Sequence, residues 1–189
     1  MKCKWCLGSS LYEDYHDFEW GVPVYDDNIL FEFLVLESAQ AGLSWITILK
    51  KRENYRKLYD GFDPHKVALY DENKIEELMS DKGVVRYRRK IEASINNAIR
   101  FIELQREFGS FSDYLWEFAG GRPIDGSVGS IEDLQATSDL SDRLDKDLKK
   151  RGFKFLGSTT IYSYLQAVGV INDHTSECFR YEEIKKSQA

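Results

Sequence analysis

Three observations predict an all-α fold. No stretch shows the clean apolar–polar alternation of a half-buried strand, and apolar residues recur three and four apart instead. Prolines number only 3, and the glycines and prolines that break regular structure fall between the helical stretches. Residues suited to capping stand at the start of those stretches, and counting starts and stops gives about eight helices.

The helices follow in order along the chain. Asp27 caps the first, whose apolar residues are Leu30, Phe31, Phe33, Leu34 and Leu36, and Gly42 ends it. Ser44 caps a second that runs toward Tyr59, with Gly61 beyond. Asp63-Pro64 opens a short third, proline being favourable at the first helical position. Asp71 caps a fourth that stops before Gly83. Arg86 to Phe108 forms one long helix, stopped by Gly109. Ser110 or Ser112 opens a short helix ending at Gly120-Gly121, and Gly120 to Gly129 is loop. Ser138 caps a helix ending at Gly152; Gly157 or Ser158 opens the last, which ends at Gly169.

With 189 residues, and about 100–200 residues per domain, a single domain spanning 1–189 is expected. Hydrophobic residues make up 42% and charged residues 31%, which excludes a disordered or fibrous chain. The 26 Lys+Arg and 32 Asp+Glu give a net charge of −6, and on its own that argues against a nucleic-acid partner. Met1 to Tyr15 has no apolar run behind its lysines, unlike an export signal. The most apolar stretch, Ile29 to Leu49, carries Glu32 and Glu37 and is unsuited to a membrane span. An odd number of cysteines, 3, fits a cytoplasmic protein with reduced thiols.

Three constellations carry chemistry. In the first, Cys3 and His16 lie near one end of the chain, and His174 and Cys178 near the other. His174-x3-Cys178 places both side chains on one face of a helical turn. Two cysteines and two histidines suit a closed tetrahedral zinc site. Cys3, Cys6, His174 and Cys178 form an alternative set, and simple packing of small thiols is the plainer reading.

The second constellation is the turn Lys149 to Thr159, in which Gly152 and Gly157 link two helices. A preceding helix and Ser158 in place of lysine exclude a phosphate-binding P-loop. A helix–hairpin–helix turn fits instead. Its amides at the helix start after Gly157, with Lys149, Lys150, Arg151 and Lys154 around them, suit a DNA phosphate. Another basic cluster, Arg86, Arg88, Arg89 and Lys90, opens the long helix, where cations oppose the helix dipole and need compensation. Solvated basic rims are the plainer reading of both.

The third is a carboxylate among aromatics. Leu30, Leu34, Glu37 and Ala41 share one helical stripe, so Glu37 falls on a face that should be buried. Trp45 follows eight residues on, and Trp5, Tyr12, Tyr15 and Trp20 lie in the N-terminal segment. Rings around a carboxylate favour a flat cationic guest, whereas rings that only fill a core are the plainer reading.

The chain resembles the DNA-3-methyladenine glycosylase I family of bacteria. The likeness rests on Tyr15-His16-Asp17, Glu19 to Pro23, Gln40 to Ile46, Leu49 to Tyr55, Lys149 to Phe155 and Asn172-Asp173-His174. It implies a helix–hairpin–helix glycosylase fold with one structural zinc on Cys3, His16, His174 and Cys178, leaving Cys6 aside. It further implies Glu37 as the carboxylate that contacts the extruded base, Trp45 as the stacking ring, and Tyr15, Trp5, Trp20 and Tyr12 as other pocket residues. Gly42 and Leu43 match the wedge that fills the duplex, and Gly152, Lys154, Gly157 and Ser158 the hairpin that holds the backbone. Asp173 is expected to orient His174. The implied activity is monofunctional hydrolysis of the N-glycosidic bond of 3-methyladenine in double-stranded DNA, by base flipping, leaving an abasic site and free 3-methyladenine. The expected enzyme is a cytoplasmic monomer without a membrane partner. A zinc-stapled DNA-binding module without catalysis, and a glycosylase for another damaged purine, are the competing readings. The net charge of −6 then implies weak, salt-sensitive binding to undamaged duplex, with affinity coming from capture of the base.

Overall fold

A computed structural model describes residues 1–187; the last two residues of the expected domain lie outside it. Ten α-helices are present among the described residues. They are α1 (Ser10–Phe18), α2 (Asp27–Gln40), α3 (Trp45–Leu58), α4 (Pro64–Val67), α5 (Glu72–Ser80), α6 (Arg88–Phe108), α7 (Phe111–Phe118), α8 (Asp139–Lys150), α9 (Ser158–Ala167) and α10 (Phe179–Ser187). The eight expected helices correspond to α2 through α9, and α6 begins two residues later than expected, at Arg88. The expectation omits α1 and α10. It also omits a two-residue parallel pairing of β1 (Ile124–Asp125) with β2 (Ile171–Asn172), too short to show a period in sequence.

The centre of the fold is α2. Every residue from Leu30 to Ala39 is buried, as expected of a helix that is apolar on nearly all sides. The helix packs against α3, α6, α7 and α9. The buried stripe therefore widens to the whole helix, while Ala41 lies beyond its end and is exposed. Glu32, buried on α2, is bonded by Arg52 and Arg56 of α3, and Arg52 also reaches Glu19 after α1. Those ion pairs tie three elements together across surface that would otherwise hold an unpaired charge.

Caps explain most of the boundaries. Asp63, Asp71, Ser110 and Ser138 accept from first-turn amides of α4, α5, α7 and α8. For α2 the cap is Asp26, which accepts from the Ile29 amide. Asp27, the residue expected in that role, instead reaches across to α7. Its carboxylate accepts from the Phe111 and Ser112 amides at 2.9 and 2.8 Å and from Gln105 Nε2 at 2.7 Å. Ser44 precedes α3 but makes no backbone cap; its hydroxyl meets Thr47.

Asp27→Ala would leave those helix-start amides without this acceptor, a loss of about 2 kcal/mol. Urea denaturation at neutral pH should show this as a lower midpoint with an unchanged slope.

Candidate active site and metal centre

The two chain ends meet at four buried side chains, Cys3, His16, His174 and Cys178. Their ligand atoms all lie within 4.8 Å of one another. Cys178 Sγ is 3.4 Å from His16 Nε2 and 3.5 Å from His174 Nδ1, and Cys3 Sγ is 3.6 Å from His174 Nδ1. With Zn–S and Zn–N bonds of about 2.3 and 2.0 Å, the S···N edge of a zinc tetrahedron is about 3.5 Å, so the spacing fits a four-coordinate cation.

The outer partners fit as well. His174 Nε2 lies 3.0 Å from the Trp20 carbonyl, and His16 Nδ1 lies 2.8 Å from Asp17 Oδ1. Each acceptor takes the ring proton and leaves the other nitrogen as a lone pair facing the thiols. Gly21, at φ 78°, brings the chain against His174: a side-chain carbon there would lie 3.0 Å from Nε2. A hydrogen bond from Cys3 holds the Cys178 thiol far below its ordinary range. Cys6 stays outside the group, giving its S–H to the Cys3 carbonyl, and burial pushes its thiol up to about 11. Asp173 does not touch the His174 ring, contrary to expectation. Its Oδ2 accepts from Tyr162 and Gln166 instead.

Beside this cluster lies a cavity of about 200 Å³. The expected residues Trp5, Tyr12, Tyr15, Trp20, Glu37 and Trp45 all line it. Its lining also includes Gln40, which opens the matched stretch Gln40 to Ile46 but was given no role, and Leu134, Ser163 and Gln166, which carried no motif in the sequence. Trp5 packs on Trp20 at 4.8 Å and on Tyr12 at 5.0 Å, and Tyr15 packs on Trp45 at 5.5 Å. Phe33 stacks on Trp45 at 6.5 Å and carries the Arg52 guanidinium 5.0 Å above its ring. Trp5 and Trp20 also pack on the metal-cluster rings of His16 and His174, at 5.3 and 4.6 Å.

Glu37 reaches this cavity from α2 and is 4% exposed. Among the described residues no cation pairs with it, and burial pushes its carboxyl up to about 8. A flat ring with donor hydrogens and a positive charge would satisfy what the cavity lacks.

The residues expected to touch DNA lie in two loops, one between α2 and α3 and one between α8 and α9. Gly42 (φ 85°) and Leu43, 40% exposed, form the loop tip after α2. Ser38, the residue after Glu37, donates to the Phe155 carbonyl at 3.2 Å. Asn97 of α6 donates to the Lys154 carbonyl and accepts from its amide. Asn96 donates to the Gly152 carbonyl. Lys154 and Phe155 are exposed, and Phe155 meets Tyr87 edge to face at 5.9 Å.

Several expected phosphate contacts are committed elsewhere. Ser158 turns its hydroxyl inward to Ser141 and Asp142. Lys149 pairs with Asp145, and Arg151 with Asp147 and Glu107. Arg88 pairs with Glu72, Glu76 and Glu92, which supply the compensation expected at the start of α6. Lys90 donates to the Ala39 and Ala41 carbonyls at the end of α2. Among the described residues, the cations of the two basic clusters without a carboxylate partner include Arg86, Arg89 and Lys154.

The elevated Glu37 carboxyl fixes a pH dependence of stability. Between its ordinary 4.5 and about 8, the folded chain keeps a proton that the unfolded chain has lost. Folding stability therefore falls as pH rises through that window and levels off above it. Glu37→Gln lacks this slope, so its stability should gain on the wild type from about pH 4.5 to 8, read from urea midpoints across pH.

A family model described as methyladenine glycosylase matches residues 5–181. DNA-3-methyladenine glycosylase 1 of Escherichia coli (strain K12) is 46% identical over 180 residues, covering 95% of this chain and 96% of that one. The DNA-3-methyladenine glycosylase of Haemophilus influenzae is 42% identical over 177 residues, covering 94% and 96%. A crystal structure of a 3-methyladenine DNA glycosylase I superposes with a TM-score of 0.91 at 46% identity, covering 95% of this chain and 98% of that one. A tyrosine-to-phenylalanine variant of a 3-methyladenine DNA glycosylase I, solved with 3-methyladenine bound, also gives 0.91, at 40% identity and coverage of 94% and 96%. By these matches, which span nearly its whole length, the chain belongs to the methyladenine glycosylase family.

Proposed function

We propose that this protein is a DNA repair glycosylase that hydrolyses the N-glycosidic bond of 3-methyladenine and leaves an abasic site. The observation that carries the reading is Glu37, a buried carboxylate without a cation partner in a cavity walled by aromatic rings. A site that bound only phosphate would have no use for it.

A base within a duplex is out of reach, so the damaged nucleotide must leave the stack, at a cost of a few kcal/mol. The helix–hairpin–helix of α8, residues 151–157 and α9 holds the backbone. The first amides of α9 have no side-chain cap and are free for a phosphate oxygen. Lys154, Arg86 and Arg89 add positive charge. Leu43 fills the vacated step as an apolar wedge. The unfavourable net charge of −6 then limits non-specific binding without preventing capture.

Alkylation at a ring nitrogen gives the base a positive charge. That charge stacks favourably on Trp45 and lowers the Glu37 carboxyl toward its ordinary range. Ionising Glu37 at pH 7, from about 8, costs about 1.4 kcal/mol, less than the ~4 kcal/mol that an ion pair at contact distance returns in a protein environment. The carboxylate then accepts from the exocyclic amine. An undamaged, neutral adenine offers no such return. When the glycosidic bond breaks, its electron pair stays on the base and cancels the charge, while water adds to the sugar carbon and loses a proton. The neutral product no longer pairs with the carboxylate, which favours its departure.

Zinc on Cys3, His16, His174 and Cys178 would act as a structural cross-link between the chain ends. In the chain-entropy account, closing a loop of this length contributes about 5 kcal/mol.

Glu37→Gln should lower kcat/KM for release of 3-methyladenine from methylated duplex about 100-fold. In the wild type kcat/KM should rise with pH to a plateau above about 8, and in the variant this ionisation should vanish. Equal rates for the two proteins would contradict the assignment. Elemental analysis should find about one zinc per chain, lost in Cys3→Ser and kept in Cys6→Ser.

A further inference from the structure

Neither the ring cage nor Glu37 accounts for Gln166, which reaches the base cavity from α9. Its Nε2 donates to Asp173 Oδ2 at 2.6 Å, and the Tyr162 hydroxyl donates to the same oxygen at 2.6 Å. Asp173 is 1% exposed. Its other oxygen has no hydrogen-bond partner and lies against the backbone of Gly126, where an added side-chain carbon would come within 1.8 Å. The carboxylate is thus held in place by packing on one side and two donors on the other.

That arrangement settles which way the Gln166 amide faces. A carboxylate accepts and does not donate, so the nitrogen and not the oxygen is turned toward Asp173. The planar amide directs Oε1 away from Asp173, and among the described residues no side chain donates to it. The cavity thereby gains a carbonyl acceptor that is not free to flip.

We propose that Gln166, positioned by Asp173, is a specificity-determining acceptor that favours a base with an amine at C6 over a purine with a carbonyl there. The inference rests on the base-excision reading above. An amine can donate to Oε1, whereas a carbonyl would set two acceptors against each other within the cavity. Glu37 cannot make this distinction alone. Protonated, it donates to a carbonyl; ionised, it accepts from an amine.

The test uses duplex DNA treated with a methylating agent, so that one substrate carries both 3-methyladenine and 3-methylguanine. The readout is the ratio of kcat/KM for release of the two bases. Gln166→Ala should lower the adenine-to-guanine ratio about tenfold. Asp173→Asn, which keeps the volume but lets the Gln166 amide turn either way, should lower it similarly. The double variant should match Gln166→Ala alone, because Asp173 acts through Gln166. Thermal midpoints and zinc content serve as controls, since Asp173 precedes His174. If Asp173→Asn fails to fold, Gln166→Ala alone decides the acceptor role.

An unchanged ratio in a folded Gln166→Ala that still releases 3-methyladenine would overturn the inference and leave the proposed function standing. Additive effects in the double variant would overturn the positioning role of Asp173. A wild-type protein that releases neither base would overturn the proposed function itself.

Discussion

The meeting of Cys3 and His16 with His174 and Cys178 is the contact on which the site depends. Neither chain end builds much of a core alone: α1 and α10 are nine residues each, below the length at which helices persist in water. The cluster gives both ends an anchor, and the anchor is shared. Trp5 and Trp20 pack on the cluster imidazoles and also wall the cavity, and Tyr15 directly precedes His16 on α1. A disturbance at the thiols would thus reach the cage through rings already in contact, without crossing the helical core.

Opposite that wall stands α2, which brings a carboxylate into an environment that penalises charge. Burial alone pushes Glu37 up to about 8, while Glu32, five residues earlier on the same helix, has two arginines. The contrast shows that the fold is able to neutralise a buried acid where structure requires it. At Glu37 it does not, and the deficit faces the cavity. On the proposed function, selectivity for a cationic guest would follow from that missing partner more than from the shape of the cage.

Much of the helical framework was legible because caps are local. Asp63, Asp71, Ser110 and Ser138 each act on an amide within their own turn, so spacing reveals them. Asp27 escaped because its partners lie on α6 and α7, 78 to 85 residues away. The ring-lined cavity and the Cys/His cluster were recognisable from aromatic, cysteine and histidine types, and from family resemblance. Gln166 was not, because nothing about a lone glutamine on a helix reveals a buried carboxylate behind it. The basic clusters were overread for the same reason: Arg88, Lys149 and Arg151 look free in sequence, and their acidic partners come into reach only on folding.

Residues 37 to 41 of α2 and its end divide their duties one by one. Glu37 and Gln40 line the cavity, Ser38 donates to the Phe155 carbonyl in the loop between α8 and α9, and the main-chain carbonyls of Ala39 and Ala41 receive Lys90 from α6. Successive positions on a helix point about 100° apart, so Glu37 and Gln40, three apart, share the cavity side, while the contacts of Ala39 and Ala41 are main-chain and survive a change of side chain. A lineage shifting toward a different lesion would find α2 constrained at Glu37 and Ser38 rather than along its whole length. Leu134 and Ser163 line the same cavity without a side-chain hydrogen bond among the described residues, so a substitution at either would reshape its wall without breaking one.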